Sequence, residues 1–287
     1  MLPVSPAPDQ EKDTLMSQPR LSDSRRYLQR LGFDTPPAPT LDTLRQLQNR
    51  HTAEFSFETL STLLRQPVPI DFESVERKVF EQGRGGYCYE LNQLFLALLQ
   101  ELGFDARGIT GRVVMNAPEG AWTARTHRLS LVTIGGVRYT TDVGFGGMVP
   151  TGPLLLDSRD IQATPHEPYR IEDHPDGYLL RANVGGEWRP MYLFDLQRQE
   201  EIDYTLGNWY VCNHPDSPFM GRLMVARTGD GLRKTLNGNS YAVHRMGQES
   251  VRRLITDADE LIDLLENEFG LRVPPRELLR PAVAGLI

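Results

Sequence analysis

A thiol, an imidazole and a carboxylate brought together can carry an acyl group on sulfur, and one cysteine of this chain has the setting for it. Cys88 lies in Arg84-Gly85-Gly86-Tyr87-Cys88-Tyr89-Glu90-Leu91-Asn92, where a loop turns into a leucine-striped helix. A sulfur at a helix start sits at the positive end of the macrodipole beside unpaired N–H groups, which favours thiolate over thiol. The same N–H groups can hydrogen-bond an oxyanion during acyl transfer. The paired glycines let the backbone turn sharply and a substrate approach closely. Arg84 adds positive charge or buttresses the loop through a carboxylate, for which Glu58 is the candidate. Free cysteines are more often buried and inert. The second one, Cys212 in Tyr210-Val211-Cys212-Asn213-His214, has no comparable setting and reads as structural.

A cysteine nucleophile needs a base, and the base needs a group that fixes its tautomer. Of the histidines at 51, 127, 166, 174, 214 and 244, hairpin register singles out His127. Gly135-Gly136 lies between two strand-like runs, a strong signal for a two-residue turn. If Ile134 pairs with Val137, Leu129 falls opposite Asp142, and His127 shares their face of the sheet. His127 and Asp142 are then diagonal neighbours roughly 7–8 Å apart at the backbone, within imidazole–carboxylate reach. Leu129 and Leu131 make that face apolar, so an aspartate there needs a partner. A metal is the weaker reading, since no third and fourth ligand stands at suitable spacing. Register alone does not bring Cys88 to His127.

The elements that must hold these groups follow from periodicity. Leu91, Leu94, Phe95, Leu98, Leu99 and Leu102 recur at helical spacing from Cys88, and Gly103 suits the position after the helix. Ahead of it, Ser22 is the expected cap of a helix carrying Tyr27, Leu28 and Leu31, and Thr40 caps another with Leu41, Leu44 and Leu47. From Arg107 to about Phe194 short alternating strands take over, including Ile109–Val114, Arg128–Ile134 and Val137–Val143. Strand-like segments are expected to continue to about Ser240, before a helix over Asp257–Phe269. Helices first, strands second and a mixed tail third make an α+β chain of three units: 21–104, 105–205 and 206–287. Residues 1–20, polar and Pro-rich, read as a disordered extension.

The 287 residues are 39% hydrophobic and 24% charged, with a net charge of −7, ordinary for a globular protein. The acidic balance and the lack of a basic cluster argue against a nucleic-acid partner. Two cysteines are too few for a disulfide scaffold. With no signal peptide and no apolar run of about 18 residues, a cytoplasmic protein without a membrane partner is expected.

Three segments together, Arg84 to Asn92, Thr126-His127-Arg128-Leu129 and Asp142-Val143-Gly144-Phe145-Gly146, resemble the motifs of the arylamine N-acetyltransferases. His51 followed by Phe57-Glu58-Thr59-Leu60, Tyr192-Leu193-Phe194-Asp195, and Asn208-Trp209-Tyr210 leading to His214-Pro215 extend the likeness over roughly residues 22 to 280. The resemblance implies an N-terminal helical bundle, a central β-barrel-like domain and a C-terminal α/β lid around a papain- or transglutaminase-like Cys-His-Asp core. It implies ping-pong transfer from acetyl-CoA, a co-substrate rather than a bound cofactor, to an arylamine, hydrazine or arylhydroxylamine. By position Cys88 would be the nucleophile, His127 the base and Asp142 its orienting partner, with Arg84, Glu58 and Asn92 in support. Thr126, Phe145 and Gly146 would line the CoA and amine cleft, with Tyr210 and Phe219 as further CoA contacts. Thr59 stands where relatives often have Asn, so one support is expected to be lost. Gly144-Phe145-Gly146-Gly147 lacks the Lys-Ser/Thr ending of a phosphate loop. A papain-like or transglutaminase-like amide hydrolase is the alternative, because the same three groups serve hydrolysis. The expected assembly is a monomer or homodimer.

Overall fold

The computed structural model describes residues 20–118 and 120–287. The expected extension therefore lies, but for Arg20, outside the described residues. Helix α1 (Ser24–Arg30) is capped by Asp23, which accepts from Arg26 N at 3.0 Å. Ser22, the expected cap, instead donates its N–H and hydroxyl to Glu76 Oε1 at 2.8 and 3.1 Å. Thr40 caps α2 (Leu41–Glu54) as its position suggests, accepting from Thr43 N at 3.2 Å. Two short helices follow, α3 (Leu60–Leu63) and α4 (Phe72–Glu76), then a π-helical turn over Arg77–Glu81 that no periodicity announces. Helix α5 (Cys88–Glu101) ends at Gly103, whose φ of +86° suits glycine. Leu28, Leu44, Leu47, Leu91, Leu94, Phe95 and Leu98 pack α1, α2 and α5 into one core. Each such burial contributes about 1.5–3 kcal/mol, and together these fix where Cys88 begins its helix.

Seven antiparallel strands form the central sheet in the order β5-β4-β3-β2-β8-β7-β6. Their ranges are β2 Asp105–Val113, β3 Arg125–Ile134, β4 Val137–Thr141, β5 Leu154–Leu155, β6 Tyr169–His174, β7 Gly177–Val184 and β8 Glu187–Phe194. Leu154 from one edge shares a core with Tyr169 and Ile171 from the other, so the sheet curls into a nearly closed barrel. Ile134 pairs with Val137, as the turn signal requires, and the ladder ends at Ser130 opposite Thr141. Gly135 and Gly136 take φ of +57° and +81°, the left-handed pair that a tight hairpin demands.

The second sheet runs β1-β9-β10-β11-β12: Phe57–Glu58, Met224–Gly229, Leu232–Asn237, Ser240–Arg245 and Val251–Leu254. Helices α7 (Ala258–Asn267) and α8 (Arg276–Ala284) cover it through Leu261, Leu265 and Leu279. Two expectations fail here. Strands continue past Ser240, through β11 and β12 to Leu254. Glu201–Asn213 is a helix, α6, not strand. Its buried face carries Tyr204, Asn208, Val211 and Cys212, whereas Ile202, Leu206 and Trp209 are exposed. A polar residue inside and apolar ones outside hide the helical period, and Gly207 lowers propensity at its centre. Gly207 is there for space, since a Cβ would meet Tyr89 Oη at 2.0 Å. Among the described residues no helix is long and apolar enough to cross a membrane.

His51 is buried among the rings of Tyr27, Phe55 and Phe95, with neither ring nitrogen hydrogen-bonded among the described residues. Burial, aided by the Arg30 charge, holds its imidazole down to about 3 from 6.5. The unfolded chain then binds the extra proton below pH 6.5, so this group's contribution is complete above that pH. It drains as pH falls toward about 3, by at most about 1.4 kcal/mol per pH unit. His51→Leu removes that portion of the acid slope in urea-unfolding midpoints measured between those limits. An unchanged slope contradicts the assignment.

Candidate active site

The first turn of α5 and the end of the β3–β4 hairpin meet at a cluster of polar groups inside an apolar shell. His127 Nε2 and Asp142 Oδ2 lie 2.6 Å apart, both side chains buried. Nε2 therefore gives its hydrogen to the carboxylate, which leaves Nδ1 for the thiol. Cys88 lies near enough to help raise the proton affinity of the imidazole, and its thiol donates to the Thr126 carbonyl oxygen at 3.6 Å. The contact that register could not supply is thus made by the packing of α5 on β3. Cys88 is only 3% exposed.

Burial works against charge on His127, but the Asp142 charge and hydrogen bond, together with Cys88, outweigh it and push the ring up to about 10. Asp142 is also burdened by burial, yet His127, Asn92 Nδ2 and Gly144 N hold its carboxyl below the ordinary carboxylate range. Asn92 Nδ2 donates to Asp142 Oδ1 at 2.9 Å and to Arg128 O at 2.6 Å, while its Oδ1 accepts from Val143 N at 2.9 Å. Gly144 N completes the carboxylate's partners at 2.9 Å. The arrangement can hold an imidazolium beside sulfur in a low-dielectric pocket.

Phe145 meets the His127 ring edge-on with centroids 4.9 Å apart, and Tyr192 lies across the same ring at 4.8 Å. Gly146 opens a 3₁₀ turn, Gly146–Met148, against the ring of Phe57. Phe219 packs on Phe57 and Tyr87, within the apolar cluster that includes Cys88. Of the expected cleft residues, Thr126 reaches the sulfur through its carbonyl, Phe145 packs on the imidazole, and Gly146 and Phe219 pack on Phe57. Tyr210 does not join them and stacks on His214 with centroids 4.6 Å apart. Among the described residues no group of three or more His, Cys, Asp or Glu could hold a metal ion.

A family model described as N-acetyltransferase matches residues 40–278. The arylamine N-acetyltransferase of Mycolicibacterium smegmatis is 41% identical over 250 residues, covering 85% of this chain and 90% of that protein. The Escherichia coli enzyme of the same name is 37% identical over 248 residues, covering 86% and 88%. The solved structure of Mycobacterium marinum arylamine N-acetyltransferase in complex with CoA aligns at a TM-score of 0.88 and 39% identity, covering 92% of this chain and 99% of that one. The chain belongs to the arylamine N-acetyltransferase family.

Beneath the sulfur of this arylamine N-acetyltransferase family member lies an ion network only partly foreseen. Arg84 Nε and Nη2 donate to Glu58 Oε1 at 3.0 and 2.8 Å, the expected pair. Lys78, set by the π-helical turn, reaches both Glu90 at 2.7 Å and Glu58 at 3.6 Å. Burial pushes both carboxyls up. In Glu58 the charges of Lys78 and Arg84 prevail and the net shift is downward, whereas in Glu90 burial, reinforced by the Glu58 charge, outweighs Lys78 and the net shift is upward. Glu90 Oε2 accepts from Tyr87 N at 3.0 Å and so caps α5. A cavity of about 200 Å³ bordered by Lys78, Arg84 and Glu90 has none of Cys88, His127 and Asp142 in its walls. Thr59 keeps a support rather than losing one, since its hydroxyl donates to Arg222 O at 2.8 Å and accepts from Met224 N at 2.9 Å. Cys212 is buried, and burial raises its thiol.

The glycines serve proximity more than turning. A Cβ on Gly85 would fall 1.9 Å from Ser56 O, where the loop runs beside β1. A Cβ on Gly144 would fall 2.6 Å from Cys88 Cα. Gly144→Ala is therefore expected to cost roughly 1–3 kcal/mol in urea unfolding, the range for overpacking. It is also expected to slow iodoacetamide alkylation of Cys88 by pushing α5 off the hairpin. Wild-type stability with wild-type alkylation refutes that contact.

Proposed function

We propose that this protein transfers an acetyl group from acetyl-CoA to arylamines, arylhydrazines or arylhydroxylamines through an acetyl-cysteine at Cys88. The observation that carries the reading is the bond between His127 Nε2 and Asp142 beside the Cys88 thiol, in a chain belonging to this family. In this reading the Cys88 thiolate attacks the thioester carbonyl of acetyl-CoA. The bond from carbonyl carbon to CoA sulfur breaks, and the departing sulfur takes the proton from His127. The amine nitrogen then attacks the acetyl carbonyl, its proton passes to His127, and the bond to Cys88 breaks, restoring thiolate and imidazolium. The N–H groups of Cys88 and Tyr89 precede the first helical bond, made by Glu90 N to Tyr87 O at 3.0 Å, and would stabilise the oxyanion of each step. Thr126, Phe145, Gly146 and Phe219 would border the donor and the amine. Tyr210 would meet the CoA chain farther from the sulfur.

A cysteine residue this buried supports transfer to an amine over hydrolysis of the acyl-enzyme. The two free cysteines, Cys88 and Cys212, fit a reducing, cytoplasmic setting.

Intact mass spectrometry after exposure to acetyl-CoA is expected to show one added acetyl group that is absent in Cys88→Ala. CoA release that proceeds without an amine would mean hydrolysis, and an unmodified wild-type mass would refute the reading. The imidazolium predicts the pH profile as well. The first half-reaction should stay level from pH about 6.5 to about 9, then fall through about 10 as the ring loses its proton. A rate that instead follows a simple titration near pH 6.5 contradicts the charged pair.

A further inference from the structure

Gln48 is fully buried on α2, and none of the steps above uses it. Its Nε2 donates one hydrogen to the Asp142 carbonyl at 3.2 Å and the other to the Pro150 carbonyl at 2.8 Å. A primary amide carries two N–H donors on one nitrogen, so a single side chain closes both ends of segment 142–150. These acceptors also decide which way the amide points, because its oxygen in that place would face two carbonyls. Its Oε1 has no partner among the described residues, so the two carbonyls alone orient the group.

What lies between the two bonds is the part of the chain that touches the reacting groups. Gly144 abuts Cys88 Cα, Phe145 packs against His127, and the turn Gly146–Met148 leads back to Pro150. Asn92 secures the carboxylate of Asp142 from α5, while Gln48 secures its backbone from α2. Helix α2 is anchored by Leu44 and Leu47 in the helical core, which makes it a rigid post for this loop.

We propose that Gln48 is a positioning residue that staples the two ends of the 142–150 loop and thereby sets Asp142 and Phe145 against His127. The inference rests on the reading of Cys88, His127 and Asp142 given above. Without both donors, two buried carbonyls lose their partners and the loop shifts to find others. A shift of about 1 Å at a reacting centre costs on the order of 10²-fold in rate.

Two variants test it. Gln48→Met keeps length and apolar volume but removes both donors. Gln48→Glu supplies a single O–H donor, and only while its buried carboxyl is protonated. Cys88 alkylation by iodoacetamide and arylamine acetylation are measured well below each protein's melting temperature, with His127→Ala as reference. Gln48→Met is expected to lose roughly tenfold or more in both alkylation rate and kcat. Gln48→Glu is expected to regain activity relative to wild type as pH is lowered. Lower melting temperatures with alkylation and kcat within about twofold of wild type in both variants would make Gln48 merely structural, and would overturn the proposal while leaving the triad reading intact. Equal alkylation in wild type and His127→Ala would instead sink the triad reading and this inference with it.

Discussion

The site depends on keeping one carboxylate charged where no water reaches it. An unpaired carboxylate in an apolar interior would take up a proton instead. Asp142 avoids this because His127 Nε2, Asn92 Nδ2 and Gly144 N all donate to it. Once that charge is secured, the imidazole is secured with it, since an anion 2.6 Å from Nε2 outweighs the burial that would strip the ring of its proton. A cation on the ring in turn places positive charge beside the Cys88 sulfur, so the surroundings of that sulfur depend on Asp142.

The rest of the fold reads as a device for delivering those donors. The hairpin carries His127 and Asp142, α5 carries Cys88 and Asn92, and α2 carries Gln48, so three separately packed elements converge on one loop. Convergence requires backbones closer than side chains normally permit. Gly144 against Cys88 and Gly85 against Ser56 meet that requirement. Below them, Lys78 and Arg84 neutralise Glu58 and Glu90, which hold the start of α5 and the strand beside it. Breaking one partner of such a buried network is more damaging than never having built it, which concentrates sensitivity at the cysteine loop.

Much of this was legible in residue order. Gly135-Gly136 dictates the pairing of Ile134 with Val137, and extending that register one step past the last pair, Ser130 with Thr141, puts His127 and Asp142 on one face. The stripe from Leu91 to Leu99 located α5 and with it the setting of Cys88. What was not legible depends on contacts between distant segments. Helix α6 hid because Asn208 lies inside while Leu206 and Trp209 lie outside, reversing the usual sorting. Lys78 sits in a π-helical turn that has no period to detect. Gln48 left a faint signal, a polar residue on the inward stripe of Leu44, Leu47 and His51, but its partners stand 94 and 102 residues away.

The central claim is that His127 carries a proton on both nitrogens at neutral pH because Asp142 holds it there. Nitrogen-15 NMR of the histidine-labelled protein reads that state directly. The account predicts imidazolium shifts for both ring nitrogens from pH about 7 to about 9, giving way only near 10. A neutral ring at pH about 8, titrating close to 6.5, would contradict it.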